Sequence, residues 1–406
     1  MSRTPRSIQI QVMAAHNAVG GGALHARGIA QGLRRAGVRV SLLCTGGGTA
    51  GDLDYDELLV RRPKAWPLLW RFPPLGSMPF WYRTMPRTTA HVDAVVALSP
   101  VMAVATRWAL PQITVLYCPA ILDRAAHPDT RQSPLNWFER QAFRRAQGVL
   151  FTSEAVREAA EVLYCSIRVP VGICPLGVDR HHALQVTKTR AELGIPPEAR
   201  LLLTVGLVHE NKGQRYIARA LARCAKPDWW WAILGEGPDQ ARVRGALRGS
   251  VLEPRTLFVG REPNPGSWFA AADLLVASSR SETFGLAIGE ALQAGLPVVI
   301  PNNQIRRTLS PLAESVRKHG LGRTFDRRDT ASLANALTAA LGDDRELKKM
   351  GRRAAAFASA NFSWDRYAAN ILELAAGCRS ASHRLRSEVR IEARAGELSV
   401  DRARAR

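Results

Sequence analysis

Two glutamates, Glu282 and Glu290, are separated by seven residues in the stretch Ser278-Ser279-Arg280-Ser281-Glu282-Thr283-Phe284-Gly285-Leu286-Ala287-Ile288-Gly289-Glu290-Ala291. An apolar run from Asp273 to Ala277 precedes it and reads as a strand, and the residues after Phe284-Gly285-Leu286 read as a helix stopped at Gly295. A strand ending in small polar residues, then a glycine turn and a helix start, leaves backbone N–H groups pointing outward, where they favour a negative group. Carboxylates beside such a pocket repel phosphate but accept hydrogen bonds from hydroxyls. The pair therefore suits a ligand that carries hydroxyls next to phosphate, as a nucleotide sugar does. Either glutamate could instead serve only a helix dipole or a solvated helix face.

Lys212 is the matching cation. Leu201 to Val205 reads as a strand, Gly206 opens a loop that runs to Lys212-Gly213, and Gln214 to Cys224 reads as a helix. A lysine beside a helix N-terminus is a point charge for phosphate, backed by aligned N–H donors. The first strand has a related turn: Ile8 to Ala15, then His16 to Gly22 with Gly20 and Gly21, then a helix from Ala23 to Ala36 stopped by Gly37, and a second strand from Val38 to Cys44. Glycines at a first βα turn let backbone approach a pyrophosphate, although this spacing is not the strict dinucleotide fingerprint and a simple tight turn has the same composition.

The elements that hold these groups follow one pattern. Short apolar runs recur at Ala94 to Leu98, Ile113 to Leu116, Gly148 to Phe151, Trp229 to Leu234 and Leu257 to Gly260, with helical stretches such as Leu135 to Ala146 and Ala155 to Tyr164 among them. That alternation predicts parallel sheets with helices on both faces. The 406 residues suffice for two domains, and the pattern breaks at Cys174-Pro175-Leu176-Gly177-Val178-Asp179, before a connection from His181 to Pro197. Between Leu58 and Val92 lie six basic residues and no acid, interleaved with Trp66, Trp70, Phe72, Phe80, Trp81 and Tyr82. Prolines 63, 67, 73, 74, 79 and 86 argue against one continuous helix there. The segment suits an acidic membrane surface, or a connection whose aromatics are core.

A formal net charge of +21 predicts attraction to anions without selecting among them. The six cysteines show no metal-ligand spacing and read as reduced, mostly buried thiols. No window approaches the roughly 18 apolar residues of a membrane span and the N-terminus lacks a secretory pattern, so a cytoplasmic location is expected. A last amphipathic helix is expected at about Trp364 to Leu374, and Arg379 to Arg406, with eight arginines and four acids, reads as a solvated tail.

Taken together the motifs resemble the retaining glycosyltransferases of family 4. The resemblance runs from about Ile8 to Leu374 and rests on Gly20-Gly21 with His25 and Gly37, on Pro175-Leu176-Gly177-Val178-Asp179, on Lys212-Gly213, and on Glu282 to Glu290 followed by Gly295-Leu296-Pro297-Val298. It implies an α/β protein of GT-B architecture, two Rossmann-like doubly wound domains facing a central cleft. An acceptor-binding domain would span residues 1–180, a donor domain 181–362, a helix crossing back to the first domain 363–377, and a basic tail 378–406. It also implies a nucleoside-diphosphate sugar as donor substrate, no cofactor and no metal, and a glycan or lipid-linked acceptor in polysaccharide, lipopolysaccharide or glycolipid synthesis. An acidic membrane surface is a candidate partner; nucleic acid is not. Lys212 and Glu282 would be catalytic, Lys212 on the diphosphate and Glu282 at the sugar. Gly20, Gly21, Gly206, Phe284, Gly285, Leu286 and Glu290 would bind the donor, Glu290 at the ribose.

The sequence departs from the family at three places. Leu207 follows Gly206 where an arginine is usual, with Arg280, Arg261 and Arg215 as substitutes. Tyr117-Cys118-Pro119 stands where many members carry a histidine, with His127 the nearest later one, and Pro301 to Arg307 replaces a glycine-rich segment. A phosphorylase or synthase on the same architecture, a non-catalytic protein that binds a nucleotide sugar or a partner, and a nucleic-acid binder supported by charge alone remain open at this level.

Overall fold

The structure is a computed structural model that describes residues 4–15, 21–46, 55–61, 73–89, 91–119, 134–224, 226, 228–304 and 308–379. Gly20, His127, residues 305–307, the basic aromatic stretch 62–72 and the tail from 380 onward lie outside the described residues.

The first half alternates strands and helices: β1 Ser7–Ala15, α1 Gly21–Arg35, β2 Arg39–Gly46, β3 Glu57–Val60, α2 Pro73–Thr89, β4 Ala94–Ala97, α3 Pro100–Ala109, β5 Thr114–Tyr117, α4 Pro134–Arg145, β6 Gly148–Phe151, α5 Glu154–Leu163 and β7 Val171–Ile173. Its seven strands form one sheet in the order β3-β2-β1-β4-β5-β6-β7, parallel throughout. The second half runs α6 Arg180–Leu184, β8 Arg200–Val205, α7 Gln214–Cys224, β9 Trp229–Leu234, α8 Gln240–Leu247, β10 Thr256–Gly260, α9 Gly266–Ala271, β11 Leu274–Val276, α10 Leu286–Gln293, β12 Val298–Pro301, α11 Ala313–His319, β13 Gly322–Phe325, α12 Thr330–Leu341 and α13 Asp344–Asn361. Its six-stranded sheet has the order β10-β9-β8-β11-β12-β13, again parallel. A last helix, α14, occupies 364–379. The expected pair of doubly wound α/β domains is what the chain builds, because runs such as Ala-Val-Val-Ala in β4 are buried on both faces and need helices above and below.

Two features depart from what local sequence suggests. Ile8, Ile10 and Val12 alternate with Gln9 and Gln11, a pattern that ordinarily marks a strand wet on one side, yet both glutamines are fully buried. Their amides are satisfied instead: Gln9 Nε2 donates to the Thr88 carbonyl at 2.7 Å, Thr89 Oγ1 donates to Gln9 Oε1 at 2.7 Å, and Thr106 Oγ1 donates to Gln11 Oε1 at 2.9 Å. The stretch from Leu58 to Val92 is not one continuous helix, since Leu58 to Val60 belong to β3, yet its later part is helical: α2 runs 17 residues with Pro79 and Pro86 inside it. Pro73 and Pro74 fill its first positions, where an N–H would have no helical partner anyway. Pro79 and Pro86 each remove a donor, but Met78, Trp81 and Met85 are buried under the helix and hold it to the sheet. Trp81 is core rather than surface, while Tyr82 beside it is 49% exposed.

Helix α14 leaves the second half and packs on the first. The Trp364 indole fills a slot that only glycines permit, since a Cβ on Gly28 would lie 2.0 Å from its ring and one on Gly177 2.3 Å. Farther along, Leu374 and Cys378 cover Gly148, and Arg35 of α1 pairs with Asp365 at 2.6 Å. His25 sits in the same seam, 3.3 Å from the Tyr367 hydroxyl and ringed by Trp364 and Tyr367. Burial lowers its pKa from 6.5 to about 3, so it is neutral in the folded protein. The Cys118 thiol next to Tyr367 is pushed up to about 12 by burial, and all six cysteines are free thiols.

Replacing Gly28 by Ala is expected to cost roughly 2 kcal/mol or more by overpacking against Trp364, read as a lower urea midpoint. The depressed His25 pKa has its own consequence. Below about pH 6.5 the unfolded chain takes up a proton that the folded chain refuses, so stability falls as pH drops from about 6.5 towards 3, by up to about 1.4 kcal/mol per pH unit. Urea unfolding at about pH 7.5 and about pH 5 checks this, and His25→Leu should flatten the dependence over that window.

Candidate functional site

Strand β8 pairs with β9 on one side and β11 on the other, so the chain leaves β8 and β11 in opposite directions and opens a crevice at their carboxyl ends. Two loops fill its floor. The first runs from Gly206 to Gly213 into α7, the second from Ala277 to Gly285 into α10. Each ends at a helix N-terminus whose first N–H groups have no intrahelical acceptor and carry the positive end of the helix dipole.

The loops are fastened together. Ser278 Oγ donates to the carbonyls of Gly213 at 2.7 Å and Lys212 at 3.1 Å, and the Arg280 N–H donates to the Asn211 carbonyl at 2.7 Å. Gly213 has φ +73°, and a Cβ there would stand 2.6 Å from Ser278 Oγ, so the close approach requires glycine. Buried Gln214 ties off the first loop: its Nε2 donates to the Leu207 carbonyl at 2.9 Å, and its Oε1 accepts from the His209 N–H at 3.3 Å.

On this floor the two sequence-predicted catalytic residues meet. Lys212 Nζ lies 2.6 Å from Glu282 Oε1, with the lysine side chain one-third exposed and the carboxylate mostly covered. Gly206, φ +135°, lies under the lysine, its Cβ position 4.0 Å from Lys212 Cε. Gly285 caps α10 with φ +88°, a left-handed conformation natural to glycine, and so aims the first N–H groups of that helix into the crevice. Phe284 points the other way: its ring is core, edge-on to Phe362 at 5.1 Å, which leaves only its backbone for a ligand. Leu286 and Gly21 face one another across the crevice, Leu286 Cδ1 being 4.0 Å from a Cβ position on Gly21, which is the first residue of α1 rather than part of the preceding turn. Glu290 is buried, 9% exposed, within α10. The first half also holds the second loop directly, because Thr152 Oγ1 donates to the Thr283 carbonyl.

Arg327 was not singled out in the sequence. It follows the carboxyl end of β13, donates from Nε to the Ser278 carbonyl at 2.7 Å, lies 5.7 Å from the Tyr216 ring and borders Gly213. Burial, and then the charge of Arg280, lower its pKa from the usual value. Its position after a strand at the same sheet edge as Ser278 was the available signal. Arg280 itself reaches Glu210 at 3.8 Å, whereas Leu207 is 58% exposed and brings no charge. Among the described residues no group of three or more His, Cys, Asp or Glu could hold a metal ion. A shallow depression lined by Asp273, Gly295, Leu347, Lys348, Gly351 and Arg352 lies at the other end of these strands, away from the Lys212–Glu282 pair.

Comparison with known proteins agrees with this geometry. Residues 20–172 match the model of the glycosyl transferase 4-like domain, and residues 185–357 match that of the glycosyl transferases group 1. A D-inositol 3-phosphate glycosyltransferase of Nocardia farcinica is 29% identical over 323 residues, 74% of this chain and 68% of that protein. Other relatives are matched over 43% and 53% of their own length. Among solved structures, sucrose-phosphate synthase from Thermosynechococcus elongatus superposes with a TM-score of 0.75 at 19% identity, covering 94% of this chain and 100% of that one. Anabaena HepE in complex with UDP and glucose gives 0.75 at 21%, covering 91% and 98%. At these identities the structures speak for the fold alone.

A partly exposed ion pair contributes little to stability. Glu282→Gln should therefore shift the urea-unfolding free energy by about 1 kcal/mol or less, which would set the pair apart from the packing of Trp364.

Proposed function

The chain belongs to the family 4 glycosyltransferases, and on that premise we propose that it moves a sugar from a nucleoside-diphosphate sugar to an acceptor hydroxyl with retention of configuration. The observation that carries the reading is the Lys212–Glu282 contact between two helix N-termini at the strand-order reversal. With donor bound, the diphosphate takes the place of Glu282 on Lys212, since a phosphate oxygen is an acceptor for the same ammonium. Glu282 is then released to accept hydrogen bonds from sugar hydroxyls, and Glu290 does the same for the ribose.

Cleavage of the sugar–phosphate bond leaves negative charge on the β-phosphate. Lys212 and the N–H groups from Gly285 to Leu286 are fixed where that charge grows, which is the economical form of transition-state stabilisation because nothing need reorient. Gly206 lets the nucleotide approach the loop backbone, and Gly21 approaches from the facing domain. The reading assigns the leaving-group charge to these groups and not to a divalent ion. Arg280 is the candidate to take over from the arginine that Leu207 replaces, being anchored by its own N–H to the loop that carries Lys212.

The same reading makes residues 1–180 the acceptor domain, 181–362 the donor domain and 363–377 the helix that returns to the first. The acceptor is a glycan or lipid-linked saccharide, and the enzyme works in the cytoplasm at the inner face of the cell membrane. No helix among the described residues is long and apolar enough to cross a membrane.

A thermal-shift screen against nucleoside diphosphates and their sugars identifies the donor, because a ligand that binds only the folded state stabilises it. With that donor, Lys212→Ala is expected to lower turnover by roughly a hundredfold or more. Unchanged turnover would remove Lys212 from the mechanism, and stabilisation by a nucleotide sugar without transfer or hydrolysis would leave a binding protein of the same fold.

A further inference from the structure

We infer that the outer face of α2, α3 and α4 is a docking surface for an anionic phospholipid bilayer. The three helices lie side by side on one face of the first sheet, their inner residues Trp81, Val104, Phe138 and Phe143 sharing a single core. What they turn outward is unusual in two independent respects.

The first is charge. The three helices carry six arginines, Arg83, Arg87, Arg107, Arg140, Arg144 and Arg145, and one acid. That acid, Glu139, is 2% exposed and accepts a hydrogen bond from the Tyr117 hydroxyl at 2.9 Å, so it faces inward. Five of the arginines are exposed, and none of those five forms an ion pair among those found in the described residues. The next helix on the same face, α5, is different: Arg157 is paired with both Glu154 and Glu161. The basic field therefore has an edge.

The second is aromatic exposure. Among the described residues the exposed aromatic side chains are Tyr82 at 49%, Trp108 at 39% and Trp137 at 44%, and all three fall on these helices. Trp108 and Trp137 meet edge to face at 6.1 Å, and the Arg145 guanidinium lies 5.8 Å from the Trp108 ring. Along α4 the positions of Trp137, Arg140 and Arg144 fall three and four apart and so line one stripe. Half-exposed indoles flanked by arginines match the headgroup layer of a bilayer, where the ring sits among glycerol and acyl ends and the cation meets phosphate. Three adjacent helices that turn both arginines and indoles outward suit the headgroup layer of a bilayer, where cation and ring are both accommodated.

The inference deepens the reading of the acceptor as membrane-borne and names the face that meets the membrane, yet it is read out without turnover. The full chain is sedimented with vesicles of phosphatidylcholine alone and of phosphatidylcholine mixed with phosphatidylglycerol, at ~0.15 M salt. Binding should require phosphatidylglycerol, and Arg140→Glu/Arg144→Glu should weaken it about tenfold or more. Arg83→Glu/Arg87→Glu on the neighbouring helix should weaken it similarly. Arg219→Glu/Arg248→Glu, an equal charge change on exposed residues of the second half, should leave most of the binding in place. Equal losses in all three variants would reduce the effect to net charge, and unchanged binding in the first two would move it off this face. Tighter binding of the wild type to an oligonucleotide than to the mixed vesicles would overturn the lipid assignment. Melting curves matched to wild type certify folding of each variant. Donor-induced thermal stabilisation in the vesicle-blind variants separates failure of docking from failure of the transferase reading.

Discussion

How closely two loops can approach decides what the second sheet can do. Strand order reverses between β8 and β11, so the chain after each strand turns away from the other and leaves a gap between them. Ser278 closes that gap from beneath by donating to the Gly213 carbonyl, and a glycine at 213 is what lets it come so near. Once the loops are fastened, Lys212 and Glu282 have little choice but to meet, and two helix N-termini are left facing the same space. The lysine ammonium and the free N–H groups then lie at the same end of the sheet, both favouring negative charge, and the Glu282 carboxylate sits on the ammonium.

The relation between the halves depends on packing. Trp364 lies in a slot floored by Gly28 and Gly177, one from a helix of the first half and the other from the connection, and any larger residue at either would push α14 off. His25 in the same seam is kept neutral by burial, so a residue that resembles a family motif in sequence is in space part of the packing between α1 and α14. Thr152 reaches across to the Thr283 carbonyl, giving the first half a polar hold on the turn that carries Glu282. The turn that carries Glu282 and the seating of the two halves are therefore linked through two short stretches of chain.

Charge is distributed with less uniformity than a formal net charge of +21 suggests. Near the site, burial and then the neighbouring charge of Arg280 lower the pKa of Arg327, so two cations share the edge that Leu207 leaves uncharged. On the first half the arginines of α2, α3 and α4 stand among exposed aromatics, whereas Arg157 of α5 and Arg353 of α13 are paired with acids. The same residue type does different work in the two settings because only one has acids within reach.

Much of the architecture was legible in the chain. Apolar runs such as Leu-Leu-Leu-Thr-Val in β8, glycines after the strands, and helical spacing between them specify parallel sheets, since such strands are stable only when covered on both faces. The motif residues Lys212, Glu282 and Gly285 were legible too, because loops at strand ends keep their chemistry in local sequence, and Glu290 follows them within α10. The opposite held for α2, whose prolines spoke locally against a helix that Trp81 and Met85 hold in place by burial, and for Gln9 and Gln11, whose partners lie about eighty residues or more away along the chain. Arg327 joined the site for the same reason. Sequence by itself fixed which chemical groups were present and the local form of most elements; tertiary structure alone decided that Lys212 and Glu282 touch, because contact across loops about seventy residues apart is set by strand order and by the space around Gly213, neither of which is written in neighbouring residues.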